Sequence, residues 1–310
     1  MLPEMSSPEL TLLGCGLWGR NILRDLVRLG CRVAVVDPDP AAREAAHALG
    51  AARVGTERDG VGAPDGIVVA TPAATHAAVV EPLLELGCPV FVEKPLATDA
   101  ESATRLAARA PGTLFVMHVW RYHPSVEALA ELVRSGEIGQ VEWLRSTRVN
   151  WTSPRHDVDP VWTLAPHDLS IALALLGTLP PPRSASAECQ DGRPVGLVGV
   201  LGRPTPLTEG PSVVIEVSTR HAEKRREVRV HGRKGVAWLT SEDEGCLHVA
   251  RGSGAQARVE RRPVGREPAL LRELRSFVEH LSGGPPPVTS AREGADVVRA
   301  LCALRRLAGI

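Results

Sequence analysis

Two rhythms of apolar residues alternate through the first third of the chain. Short unbroken runs at Leu10–Leu13, Cys31–Val36, Gly66–Ala70, Pro89–Val92 and Thr113–Met117 predict strands buried on both faces. Between them, Asn21–Leu29, Ala41–Leu49, Thr75–Leu86 and Ala100–Ala110 repeat at helical spacing. Gly30, Gly50 and Gly87 follow three of these stretches and predict their ends. Strands and helices in strict alternation imply a parallel, doubly wound sheet.

The rhythm changes after His118. Pro124–Ser135 predicts a helix with Pro in its first turn and Gly136 past its end. Val141–Val149 alternates as a half-buried strand does, and a helix is expected from Asp168 to Leu176. Six further strand candidates follow: Ala185–Cys189, Val195–Leu201, Val213–Ser218, Glu227–His231, Val236–Leu239 and Cys246–Ala250. Strands in succession, joined by turns, predict a mostly antiparallel open sheet. Pro180–Pro182 and Gly202–Pro211 read as loops. Helices are expected at Ala269–Leu281 and Ala291–Ala308, the latter opened by a capping box of Ser290 and Glu293. The expected division is a doubly wound, Rossmann-type α/β domain over 1–119 and a second α/β domain carrying the open sheet over 120–310.

Composition narrows the function. Thirty-six basic residues balance 36 acidic ones, so no general field draws nucleic acid or anionic lipid. Neither partner is expected. The first residues lack a basic stretch followed by an apolar one, so no signal peptide is read, and no apolar run approaches a membrane span. A cytoplasmic location follows as an expectation. The six cysteines form no C-x-x-C pair and read as buried free thiols. His156, Asp157, Asp159 and His167 lack the spacing of a metal set, so no metal is expected.

Gly14-Cys15-Gly16-Leu17-Trp18-Gly19 ends the first strand and opens the first helix. In that context the glycines permit a tight turn, close approach of a pyrophosphate and close helix–strand packing. Asp37 ends the second strand, where a carboxylate accepts hydrogen bonds from a ribose 2′-OH and repels a 2′-phosphate. NAD is therefore expected, with NADP possible because Arg43 is near in sequence. Glu93-Lys94-Pro95 closes another parallel strand at its carboxyl end, where such sheets bind ligands. Only Lys94, Lys224 and Lys234 are lysines, so Lys94 stands out as a candidate acid or base.

These segments resemble the glucose–fructose oxidoreductase/inositol dehydrogenase/MocA (Gfo/Idh/MocA) family over nearly the whole chain. The likeness rests on Gly14–Gly19, on Ala70-Thr71-Pro72 with His76, and on Glu93-Lys94-Pro95. It is nearest to the nucleotide-sugar branch, the UDP-N-acetylglucosamine 3-dehydrogenases, through Trp18-Gly19-Arg20-Asn21, Tyr122-His123-Pro124 and Trp162 followed by Ala165–Ser170. Glu223-Lys224-Arg225 and Val230-His231-Gly232 add to it. The resemblance implies an NAD-dependent oxidoreductase that moves a hydride to or from a hydroxyl-bearing carbon of a nucleotide-linked sugar, at C3. It implies Gly14, Gly16, Leu17, Trp18, Gly19, Asp37, Thr71, Pro72, His76, Glu93 and Lys94 at the cofactor. Lys94 and His167 are implied as the catalytic pair, and the open sheet as the interface of a homodimer or homotetramer. The Lys94–Pro95 bond is implied to be often cis. Many relatives carry Asp where this chain has Thr163, which orients but supplies no charge to an imidazolium.

Arg121 and Tyr122, where the two patterns meet, are candidates to contact a sugar or phosphate. Arg148, Asn150 and Arg155 suit a diphosphate through bidentate guanidinium geometry, with a solvated edge as the alternative. Asp168 is expected to cap the helix that it begins. Three other activities stay open on the residues alone: reduction of a keto-sugar or another carbonyl, dehydrogenation of a cyclitol, and NAD binding by a sensor or scaffold without turnover.

Overall fold

A computed structural model describes residues 7–57, 64–151, 157–202, 210–243, 245–252 and 256–310. Arg155 and His156, and residues 203–209 of the expected loop, lie outside the described residues. The chain forms two compact units. One is Met1–Met117 with Pro268–Ala295, and the other is His118–Glu267 with Asp296–Ile310. The expected division at 119/120 did not include this return of the C-terminal segment.

The first unit alternates β1 (Glu9–Leu13), α1 (Leu17–Arg28), β2 (Arg32–Val36), α2 (Pro40–Ala48), β3 (Arg53–Gly55), β4 (Gly66–Val69), α3 (His76–Leu83), β5 (Val90–Glu93), α4 (Ala100–Arg109) and β6 (Leu114–Met117). Its six-stranded sheet has the order β3-β2-β1-β4-β5-β6 and every pairing is parallel. The order reverses beside β1, so the carboxyl ends of β1 and β4 flank the switch point at which such sheets bind ligands. Leu12, Val35, Val68 and Val92 are fully buried, as unbroken apolar strands require. β3, missing from the expected set, is a three-residue edge strand with too little apolar pattern to read.

Helix α7 (Ala269–Leu281) completes this unit. Its Phe277 ring lies 4.9 Å from that of Phe91 on β5. A Cβ on Gly66 would come within 2.9 Å of Leu281, so the glycine lets α7 press against β4. Ser290 and Glu293 form the expected capping box ahead of α8 (Ala291–Leu307): the Ser290 N–H donates to the Glu293 carboxylate at 3.0 Å, and the Glu293 N–H to Ser290 Oγ at 3.3 Å.

The second unit runs α5 (Pro124–Ser135), β7 (Val141–Trp151), α6 (Pro160–Leu176), β8 (Pro182–Gln190), β9 (Arg193–Leu201), β10 (Ser212–Ser218), β11 (Arg220–Gly232), β12 (Gly235–Thr240), β13 (Cys246–Arg251) and β14 (Arg258–Pro263). Its eight strands follow the order β14-β13-β12-β11-β7-β10-β9-β8, and only β7 and β10 pair in parallel. Helix α6 packs on β7, β9 and β10. The opposite face carries Trp143, Arg145 and Thr147 of β7, since Leu144, Ser146 and Arg148 alternate inward.

Three expectations change here. α6 begins at Pro160, not near Asp168, because Asp159 caps it by accepting from the N–H groups of Val161 and Trp162. Pro160 then occupies the first helical position, where a missing N–H costs nothing. Pro166, read as a boundary, sits inside the helix. β14 was missed because most of its residues are charged, which suits an exposed edge that must not recruit another strand. The cysteines are free, but Cys189 on β8 is exposed rather than buried. No helix among the described residues is long and apolar enough to cross a membrane.

Candidate active site

The glycine turn between β1 and α1 is built around backbone contacts. Gly14 has φ of 89°, and a Cβ there would lie 2.7 Å from the Ala70 carbonyl oxygen. A Cβ on Gly19 would sit 2.3 Å from the Gly14 carbonyl oxygen, so only glycine lets α1 start this close to the strand. Gly16 is different. A Cβ on it meets nothing of the protein within 4 Å. It is the N-cap of α1, and no side chain caps the helix, so its first N–H groups and positive dipole end are left for an anion. Open space over uncapped N–H groups fits the pyrophosphate of a dinucleotide. Leu17 is 88% exposed and Trp18 38%, at the same helix start.

Gly16→Ala and Gly19→Ala separate the two roles. Gly16→Ala should leave the thermal midpoint of the free protein unchanged and weaken NAD binding about tenfold or more. Gly19→Ala should lower both. Equal loss of stability in the two variants, read by thermal melts and calorimetry, would refute this assignment.

Asp37 braces the turn from β2. Its carboxylate accepts from the Cys15 N–H at 2.6 Å and the Asp39 N–H at 2.8 Å. A carboxylate at the end of the second strand is able to accept from a ribose hydroxyl and repels a 2′-phosphate by charge. One guanidinium nitrogen of Arg43 donates to the carbonyls of Asp37 and Pro38, both at 2.8 Å, which holds this side chain against the backbone of the turn. Burial first, and then the Asp37 charge, push the Cys15 thiol up, away from a reactive thiolate.

After β4, Thr75 Oγ donates to the Pro72 carbonyl at 2.7 Å and lies 2.9 Å from Thr71 Oγ. His76 was expected at the cofactor but is fully buried. Its ring nitrogens instead reach two carbonyls, Pro95 at 2.7 Å and Thr71 at 3.0 Å. Carbonyls only accept, so a neutral ring satisfies one of them and an imidazolium both. His76 thereby ties the loop after β4 to the loop after β5.

The end of β5 carries Glu93 and Lys94, each under a tenth exposed, and the Lys94–Pro95 bond is cis. The Glu93 carboxylate accepts from the Trp18 indole N–H and from the Lys94 backbone N–H, the latter at 3.1 Å. Sequence reasoning missed this tie between the phosphate turn and the lysine strand. No local motif signals a contact across 75 residues.

In the second unit, Thr163 and His167 lie one turn apart on the same side of α6. Thr163 Oγ donates back to the Asp159 carbonyl at 3.3 Å. Asp168 is no cap. It is mid-helix, fully buried, and accepts from Ser146 Oγ at 2.5 Å and Arg148 Nε at 2.9 Å. Arg148, expected at a diphosphate, is thus spent on a buried ion pair, and its guanidinium also lies 4.5 Å from the Trp120 ring centre. Trp120 stacks on His123 at 4.9 Å. Tyr122 beside it is buried, while Arg121 is half-buried. Asn150 Oδ1 is buried with no hydrogen-bond partner among the described residues.

The family profile described as "Oxidoreductase family, NAD-binding Rossmann fold" (GFO_IDH_MocA) matches residues 10–119. The chain is 26% identical over 284 residues to an inositol 2-dehydrogenase of Rhizobium meliloti, a match covering 84% of each chain. Among solved structures it resembles UDP-N-acetylglucosamine 3-dehydrogenase of Acidithiobacillus ferrooxidans, with a TM-score of 0.84, 23% identity and 98% of both chains covered. An oxidoreductase from Magnetospirillum magnetotacticum superposes with a TM-score of 0.81 at 27% identity, over 96% of this chain and 99% of that one. Together with the open, uncapped glycine turn and the carboxylate at the end of β2, these likenesses identify residues 10–119 as an NAD-binding Rossmann domain of the Gfo/Idh/MocA oxidoreductase type.

Proposed function

We propose that this oxidoreductase acts on a hydroxyl or keto carbon, at C3, of a nucleotide-linked sugar. The observation that carries the catalytic part is the buried Lys94 at the carboxyl end of β5, joined through Glu93 to the phosphate turn. NAD, when bound, supplies the hydride acceptor or donor. Lys94 hydrogen-bonds the reacting hydroxyl, and Lys94 or His167 takes its proton. Thr163 orients rather than charges, so the proton rests on His167 and Lys94.

The nucleotide-sugar assignment rests on Trp18-Gly19-Arg20-Asn21, Tyr122-His123-Pro124 and Ala165–Ser170, and is supported by the likeness to the Acidithiobacillus enzyme. Arg121, Tyr122 and Asn150 are its substrate contacts. The inositol dehydrogenase relative favours a second reading, a cyclitol substrate. Self-association is proposed through the open sheet. Arg145 and Arg229 are register neighbours on its outer face, beside Glu216, Glu227 and a Trp143 that is 39% exposed. Rows of opposite charge around an exposed aromatic suit a two-fold contact with a second copy.

A panel of nucleotide-linked N-acetyl sugars, the matching free sugars and cyclitols, each with NAD, tests the reading through absorbance of the reduced nicotinamide. Turnover restricted to nucleotide-linked sugars is expected. Turnover of cyclitols alone moves the assignment to the second reading. NAD binding by calorimetry with no turnover of any alcohol or ketone leaves a sensor.

A further inference from the structure

Helix α7 carries an acid on its buried stripe. Leu270, Leu274 and Phe277 pack inward, and Glu273 lies among them with no exposure. Neither of its carboxyl oxygens has a hydrogen-bond partner among the described residues. A charge left in such surroundings is strongly disfavoured, so the group resolves the conflict by holding its proton.

The packing register shows what it faces. Phe91 and Glu93 stand on one face of β5, about 6.6 Å apart along the strand. Glu273 and Phe277 are one turn apart on α7, about 6 Å along the helix. Phe277 lies on Phe91, and Leu281 lies against Gly66 at the start of the neighbouring β4. α7 therefore runs antiparallel to β5, the two steps match, and Glu273 falls opposite Glu93. Burial, and then the charge of Glu93, hold the Glu273 carboxyl well above the usual carboxylate range. Glu93 is the charged group that acts on Glu273 among the described residues, and α1 brings the Trp18 indole to the same carboxylate.

We propose that Glu273 is a positioning residue for Lys94, a neutral carboxylic acid that backs the Glu93 carboxylate while Glu93 holds the Trp18 indole and the Lys94 backbone. Two carboxylates face to face would repel and pull Glu93 off both donors. With the proton kept on Glu273, the pair carries a single negative charge, on Glu93, at the joint between the phosphate turn and the lysine. The inference rests on the reading of Lys94 given above, but the protonation of Glu273 can be tested without it.

Linkage gives that test. An unfolded chain loses the Glu proton near the ordinary value of 4.5, while the folded chain keeps it to higher pH. The stability contribution is full below the unfolded value and falls as pH rises toward the folded one. Glutamine carries no such proton. Thermal midpoints of parent and Glu273→Gln between about pH 5 and pH 8 should therefore diverge in favour of the variant as pH rises. Glu273→Gln should also keep turnover within about threefold of the parent, since an amide has the same shape and is likewise uncharged. Glu273→Leu should lose turnover at least tenfold with a smaller change in KM for NAD. A midpoint difference that does not change with pH overturns the proposal, as does a tenfold loss in Glu273→Gln or parental turnover in Glu273→Leu. If Glu273→Leu does not fold, the glutamine variant alone decides. If the midpoints diverge as expected but Lys94→Ala still turns over, the reading of Lys94 has failed while Glu273 remains a buried neutral acid.

Discussion

Lys94→Ala is expected to lower turnover by about 10²- to 10⁴-fold while NAD still binds, the span that a positioned acid or base contributes. The two halves of the result have separate structural causes. In the proposed site, NAD binding draws on the open Gly16, the uncapped start of α1 and the Asp37 carboxylate. The Lys94 backbone N–H donates to Glu93, and Ala provides that donor as well. Calorimetry with NAD and steady-state rates with the accepted substrate are the measurements. A variant that turns over within tenfold of the parent removes Lys94 from the chemistry. Loss of NAD binding together with rate means that the substitution disturbed the turn, and Lys94→Met, which keeps the length and the apolar stem, then becomes the fair comparison.

Asp168→Ala should produce the largest loss of stability from any single site described. The pair that it breaks is almost completely dry, with side-chain exposures of 4% for Arg148 and 0% for Asp168. Removing one partner strands the other charge in the interior, a loss of about 3–5 kcal/mol. For a chain of this size that corresponds to a fall in thermal midpoint on the order of 10 °C. Ser146 also loses its acceptor. The double change Asp168→Leu with Arg148→Met should recover much of the loss, because packed apolar side chains often replace a buried ion pair at little cost. A shift of under about 2 °C in Asp168→Ala would mean that Arg148 finds other partners, and the pair would not be holding α6 to β7.

Much of this architecture is written in local pattern. Five of the six strands of the first unit are readable because each is an unbroken apolar run, and the phosphate turn because three glycines fall between a strand and a helix. Lys94 stands out through scarcity as much as position. Other features depend on partners far along the chain. Asp168 follows a proline and looks like a cap until its contact with Ser146 and Arg148, some 20 residues earlier, is known. The start of α6 was legible in principle, since Asp159-Pro160 is a cap followed by a favoured first residue, but Pro166 drew the boundary toward itself. His76 carries a family signature, and its contacts with the carbonyls of Pro95 and Thr71, on two separate loops, could not be read from that signature. Glu273 did leave a signal: an acid in phase with Leu270, Leu274 and Phe277 on an otherwise apolar stripe. Charged residues that break a hydrophobic period mark places where burial has been accepted for a reason.

The closing of the first unit by α7 also sets a schedule for synthesis. Its parallel strands emerge first, but the helix that covers Phe91 and Gly66 is made only after the whole of His118–Glu267. At ordinary elongation rates of about 5–20 residues per second, the nascent sheet waits on the order of ten seconds or more with that apolar face bare. A chaperone that shelters exposed hydrophobic surface on the ribosome would find its target there, and a fragment ending at Met117 should aggregate rather than fold.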